Sequence, residues 1–222
     1  MLLFCPPGVY KPQADTWLLV EALRNAAVPR GARVLDIGTG TGALSVAAAE
    51  LGATDITAVD VSLRAAFAAW VNTRRLPRRV PVTIYRGDAL DNPQITSRPY
   101  DLVLANPPYV PGLHPAPPKR GRARAWDSGV DGRAFLDRLC DRAYALLRPR
   151  GTLLLVHSSL CRVDSTTRRL RAAGLKTSIV ARRIEPFGPV LRGRLDLLEE
   201  RGLIRPGQRH EELVVIRGDR PG

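Results

Sequence analysis

The chain has 222 residues, 45% of them hydrophobic, with 34 Lys and Arg against 21 Asp and Glu and a formal net charge of +13. That length suits one domain built on a covered central sheet and excludes a sizeable separate recognition domain. Three scattered cysteines without metal-type spacing exclude a disulfide framework and a protein zinc site; no leader pattern and no run of roughly 18 apolar residues are visible, so a soluble, cytoplasmic protein without membrane contact is expected.

Residues 14–27 carry apolar positions at 17, 18, 20, 22 and 23, the face of a helix with Asp15 or Thr16 as its cap. Residues 33–37 form a short strand that stops at glycines. A helix over 43–52 ends at Gly52, and a second strand covers 55–60. A helix over 63–75 is stopped by Pro77, and the third and fourth strands cover 82–88 and 100–108. Residues 110–130 are a loop rich in Pro, Gly and Arg. A helix over 132–147 ends at Pro149, a fifth strand covers 151–159, and a helix over 165–174 closes at Gly174. Two last strands, 175–184 and 211–218, flank an insertion, 185–210, that contains an amphipathic stretch. This alternation predicts an α/β fold: a doubly wound, mostly parallel seven-stranded sheet with an antiparallel last strand, formed by residues 1–222 as one domain. Ligands in such sheets sit outside the carboxyl ends of the strands.

At those ends the residues carry chemistry. Val34–Gly42 is a strand followed by Gly38, Gly40 and Gly42, where a ligand can approach the backbone without meeting a Cβ. Alone, such a turn serves a dinucleotide equally well, or nothing. Asp36, inside the strand, suits an ammonium and would repel a pyrophosphate. Asp60 ends the second strand, where a carboxylate accepts both ribose hydroxyls. Asp88, after Gly87, closes the third, where a side-chain oxygen can accept from an adenine amino group. Three carboxylates at successive strand ends beside a glycine turn are hard to assign to capping.

Asn106-Pro107-Pro108-Tyr109 follows the fourth strand. The prolines stiffen the chain and have no N–H, leaving carbonyls free to accept. The Asn106 side-chain oxygen and the Pro107 carbonyl are placed to accept both hydrogens of one NH2 group, and Tyr109 offers a flat face to a planar amide or base. Amide and adenine amino nitrogens are poor nucleophiles. Two acceptors enrich such a nitrogen and aim it at a cofactor's methyl, so transfer rests on positioning. The plain alternative is a rigid proline turn.

Residues 9–19 (VYKPQADTWLL), 34–42 (VLDIGTGTG), 58–60 (AVD), 87–89 (GDA) and 106–111 (NPPYVP) together resemble the HemK-type protein glutamine methyltransferases, across roughly residues 8–160. Residues 126–139 (WDSGVDGRAFLDRL) resemble the family's short branch. About thirty residues precede the first strand, too few for the long branch's N-terminal helical domain. The resemblance implies S-adenosyl-L-methionine as cofactor, bound by an N-terminal element at 8–27. It places Thr16, Asp36, Gly38, Asp60, Asp88 and Ala89 at that cofactor, with Asn106, Pro107 and Tyr109 at the target amide. It also implies the glutamine of a release factor's Gly-Gly-Gln loop as substrate, and for some members a small zinc-binding activator protein as partner.

The basic segment Lys119–Arg124 and the insertion 185–210 have no placeable counterpart in that family. The loop is either a lid that orders on a charged partner or a solvated segment. The insertion's Leu191, Leu195 and Leu198 fit a helix packed on the sheet edge or a partner groove. Only three of the basic residues are lysines (Lys11, Lys119 and Lys176), so coding bias and a real basic face both account for the charge. His114 and His157 read as ordinary polar or packed residues. Rival functions are an adenine methyltransferase acting on RNA or DNA, which must flip out its base, methylation of a small molecule or peptide, and a non-catalytic cofactor-fold subunit.

Overall fold

The computed structural model describes residues 2–27, 30–76 and 80–222. In chain order, helix α1 (Ala14–Asn25) leads to β1 (Arg33–Ile37), α2 (Ala43–Glu50), β2 (Asp55–Asp60), α3 (Leu63–Thr73), β3 (Val82–Arg86), a single turn α4 (Pro93–Thr96) and β4 (Tyr100–Ala105). Then come α5 (Ala134–Leu146), β5 (Leu147–Ser158), α6 (Val163–Ala172), β6 (Lys176–Pro186), two short helices α7 (Pro189–Arg192) and α8 (Leu195–Glu200), and β7 (His210–Asp219). The proline expected to stop the third helix, Pro77, lies outside the described residues.

The seven strands form one sheet in the order β3-β2-β1-β4-β5-β7-β6. The first five pair in parallel, while β7 runs antiparallel to both β5 and β6. Strand order reverses between β1 and β4, so the carboxyl ends of those two strands open the crevice where ligands bind in this topology. The glycine turn follows β1 and Asn106 follows β4, which places both motifs at that crevice.

Side chains alternate across the sheet with the strand period of two. Leu35 and Ile37 face one apolar layer together with Leu136, Leu139 and Leu146 of α5 and Leu170 of α6. Val34 faces the other, with Leu19 and Leu23 of α1 and Leu44 and Ala47 of α2. A third, smaller core joins Leu191 and Leu198 of the insertion to Leu160, Phe187 and Ile204. The insertion's leucines therefore pack within the protein, and Val110 at the head of the 110–130 loop packs against them.

Three local readings differ from the sequence expectation. Neither Asp15 nor Thr16 caps α1: the N-cap position is Gln13, without a side-chain bond, and both other residues are buried. Pro149 does not end α5 in a loop; β5 begins at once at Leu147, with Arg150 in a left-handed conformation (φ 64°) and a register shift opposite Tyr100 and Leu102. The amphipathic stretch of the insertion breaks at Gly193 into two short helices. Among the described residues no helix is long and apolar enough to cross a membrane.

Candidate active site

The glycine turn is organised from below by Asp36. Its Oδ2 accepts from Thr39 Oγ1 and Ser45 Oγ, both at 2.6 Å, and from Ser45 N at 3.1 Å. Its Oδ1 is buried and has no partner. Burial pushes the Asp36 carboxyl up to about 6, although the Ser45 and Thr39 donors pull the other way. A buried carboxylate with one unmatched oxygen stabilises a nearby cation. Asp60, at the end of β2, receives Gly40 N on Oδ2 at 3.0 Å and Ser62 N on Oδ1 at 2.8 Å. Burial raises its carboxyl, offset by those two main-chain donors and by the positive charge of Arg124 from the 110–130 loop.

Gly38, Gly40 and Gly42 all have positive φ. A Cβ added at Gly38 would stand 3.7 Å from the Asn106 main-chain oxygen, between the glycine turn and the Asn-Pro-Pro-Tyr motif. The bare backbone there, the unmatched Asp36 oxygen and the Asp60 carboxylate at the end of β2 fit an amino-acid nucleoside with an ammonium and a ribose. Asp88 is placed differently from the expectation: Oδ1 accepts from Leu90 N at 3.0 Å and Oδ2 pairs with Arg138 Nη1 at 2.8 Å. Lone pairs remain for an adenine amino group, but Arg138 shares the site. The Ala89 side chain lies in the core.

After β4, Asn106 donates Nδ2–H to Thr16 Oγ1 at 3.1 Å, a bond across 90 residues. Among the described residues neither Asn106 Oδ1 nor the Pro107 carbonyl accepts a hydrogen bond from the chain. Tyr109 donates its phenol to Asp15 Oδ2 at 3.0 Å, and Tyr10 donates to the same oxygen at 2.9 Å. Burial and the Asp15 charge hold the Tyr109 phenol well above its ordinary value, so it stays protonated. Cys161 Sγ donates to the Tyr109 carbonyl at 2.8 Å. Gly132 passes directly beside that carbonyl: a Cβ there would overlap Tyr109 O and stand 2.8 Å from Cys161 Sγ, and its φ is +73°. Only glycine fits that crossing.

Sequence reading missed the bonds of Asp15, because a carboxylate near a helix start reads as a cap and its Tyr109 partner lies 94 residues along the chain. It also missed the clamp on the 110–130 loop. Arg194, between α7 and α8, grips Asp127 through both nitrogens (2.5 and 3.1 Å) and donates to the Pro111 carbonyl at 2.7 Å. Arg201 donates to the carbonyls of Gly112, Leu113 and Val130. Arg133, buried, donates to the carbonyls of Cys161 and Arg162, to Thr166 and to Asp137, tying the loop's exit to the turn after β5. His157 is fully buried, with Nδ1 2.8 Å from the Ser158 carbonyl, and burial lowers it to about 4. His114 is exposed on the loop.

Fold and site thus define a class I, S-adenosylmethionine-dependent methyltransferase. The model of the methyltransferase small domain matches residues 5–117, and the chain belongs to that family. A protein of Methanocaldococcus jannaschii described as a protein N5-glutamine methyltransferase is 34% identical over 181 residues, 82% of this chain and 88% of that one. The release factor glutamine methyltransferase of Shewanella oneidensis is 36% identical over 66% of this chain and 52% of its own length, so the chain spans about half of that bacterial relative. A tRNA1(Val) (adenine(37)-N6)-methyltransferase of Aeromonas salmonicida is 40% identical over 59% of this chain and 53% of that one. Among solved structures, a chain of the E. cuniculi Mtq2–Trm112 complex, which methylates the termination factor eRF1, superimposes with a TM-score of 0.63 at 24% identity, covering 96% of this chain and 99% of that one. That likeness shows the fold.

Proposed function

We propose that the chain methylates the side-chain amide nitrogen of a protein glutamine, with the Gly-Gly-Gln loop of a translation release factor as the favoured substrate in the cytoplasm. The observation that carries this reading is the Asn106 amide: its nitrogen is spent on Thr16 and its oxygen is left free beside the unbonded Pro107 carbonyl. Two acceptors on a stiff corner match the two hydrogens of one primary amide.

When bound, S-adenosylmethionine supplies a sulfonium methyl open to in-line displacement. The residues that would hold it are Asp36 toward the ammonium, Asp60 toward the ribose, and the bare backbone of Gly38 and Gly40. The chain's own part in the transfer is geometric. Asn106 Oδ1 and the Pro107 carbonyl accept the two N–H groups, draw electron density onto the nitrogen and fix its approach. Tyr109, anchored through its hydroxyl, walls the amide on one side. As the nitrogen gains the methyl it sheds a proton to solvent; a cationic amide is acidic enough to do so without a base, which suits a site whose buried histidine is held neutral.

The short-branch likeness to the archaeal relative over 88% of its length supports a protein substrate. The partial likeness to a tRNA adenine enzyme supports the second reading, an adenine amino group, which the same two acceptors would also hold. A small zinc-binding activator is a further proposed partner. Purified release factor, alone or on the ribosome, should take radiolabelled methyl from the cofactor, with the label on glutamine and absent with Asn106→Ala. No label on any release factor, with label on adenine of RNA instead, would replace the first reading by the second.

A further inference from the structure

Asp15 is 4% exposed, and among the described residues no Arg, Lys or His forms an ion pair with it. Four donors satisfy it instead. Oδ2 takes the hydroxyls of Tyr10 and Tyr109, and Oδ1 takes Thr16 N at 2.6 Å and Thr16 Oγ1 at 3.2 Å. An ionised carboxylate can only accept, and a threonine hydroxyl has one proton to give. That proton is committed to Asp15. The Thr16 oxygen is therefore left as an acceptor, and the group it faces, the Asn106 amide at 3.1 Å, must present its NH2. The Asn106 oxygen then has to point the other way.

We propose that Asp15 is a positioning residue for methyl transfer: acting through Thr16, it sets the polarity of the Asn106 amide so that the oxygen faces the target nitrogen. The inference rests on the reading of Asn106 as the target's acceptor. Flipping the amide would oppose two acceptors across the Thr16 bond and two donors across the target bond. An unmade buried bond of this kind biases the amide on the order of ten- to a hundredfold toward the productive face. The same carboxylate holds the Tyr109 ring through its hydroxyl, so one buried group orients both side chains flanking the target.

Asp15→Asn keeps the shape but introduces a donor, which lets Thr16 turn its proton toward Asn106 and the amide reverse. We expect kcat for methyl transfer to a purified release factor to fall roughly tenfold or more, with the Kd for S-adenosylhomocysteine within about twofold of wild type. Thr16→Val should act in the same direction, Thr16→Ser should restore the rate, and Asp15→Asn should cost nothing further in an Asn106→Ala background. Nitrogen-15 NMR supplies a readout besides turnover: the Asn106 side-chain NH2 should exchange slowly in the wild type and faster in Asp15→Asn and Thr16→Val. If Asp15→Asn fails to fold, Thr16→Val carries the test, with kcat taken at saturating cofactor because the family resemblance places Thr16 at that ligand. An unchanged kcat in these variants beside a dead Asn106→Ala overturns the relay and leaves the glutamine reading standing. An equal loss from Asp15→Asn with and without Asn106 also overturns it, since that is a merely structural effect. An Asn106→Ala enzyme with wild-type kcat overturns the underlying reading instead.

Discussion

The two halves of the crevice are built in different ways. The cofactor half is local: Asp36 bonds Thr39 and Ser45, three and nine residues away, and Asp60 bonds Ser62 and Gly40, two and twenty residues away. The target half is assembled across the chain. Tyr109 reaches Asp15 over 94 residues, Asn106 reaches Thr16 over 90, and Arg201 reaches Gly112 over 89. The unit β1–turn–α2 shapes the Asp36 part of the first half, with Asp60 added from the neighbouring β2, while the second exists only when the sheet, α1 and the insertion have all come together. The glycine turn is thus suited to hold a common cofactor, and the assembled half to carry the specificity.

Substitutions should separate the halves by which constant they move. The largest effect belongs to Asn106→Ala, which removes an acceptor from the reacting nitrogen: kcat should drop by roughly a thousandfold, while calorimetry gives an unchanged cofactor affinity. Gly132→Ala comes next. Its Cβ has no room beside Tyr109 O, so the motif must shift, with about 1–3 kcal/mol lost from stability and kcat reduced on the order of a hundredfold; a thermal melt and a rate assay would check both. Wild-type Tm and rate together would show that the crossing tolerates a methyl.

Asp36→Asn should act on the other half, weakening cofactor binding roughly tenfold with little change in the turnover of saturated enzyme. Its pH dependence carries a sign. The Asp36 carboxyl sits at about 6 in the fold against an ordinary 3.8, so cofactor affinity in the wild type should fall as pH drops below about 6 and the ammonium's partner is neutralised. The variant should show a flat profile there. For stability the direction is opposite: a carboxyl raised by folding contributes stability below pH 3.8, and that contribution is lost as pH rises toward about 6. The smallest effect on catalysis is expected for Arg194→Ala, which loosens the 110–130 loop from the insertion while Arg201 still holds it. KM for the protein substrate should rise several-fold (roughly 1 kcal/mol) with kcat and cofactor affinity preserved. A raised cofactor Kd in that variant would mean that the halves are not separable.

The same division explains what could be read in advance. Alternating strands and helices, the glycine turn and the strand-end positions of Asp36 and Asp60 were legible because each owes its place to neighbours in sequence, and a mostly parallel seven-stranded sheet with an antiparallel last strand followed from that pattern; the order of the strands did not. Asp15 looked like a helix cap, since a carboxylate near a helix start usually is one; its two tyrosine partners come from a loop before the helix and a motif ninety-odd residues beyond it. The signal was nonetheless present, in a Tyr-x4-Asp-Thr spacing ahead of an Asn-Pro-Pro-Tyr motif. The insertion was opaque for a related reason. Its arginines bind main-chain carbonyls of the loop, and a carbonyl carries no side-chain signature.

A structure of the enzyme with S-adenosylhomocysteine and a peptide carrying Gly-Gly-Gln tests the central claim most directly. The glutamine nitrogen should lie within roughly 2.6–3.2 Å of both Asn106 Oδ1 and the Pro107 carbonyl, with Asn106 Nδ2 still on Thr16. A glutamine held elsewhere in the crevice, or an Asn106 whose nitrogen faces the peptide, would contradict the account.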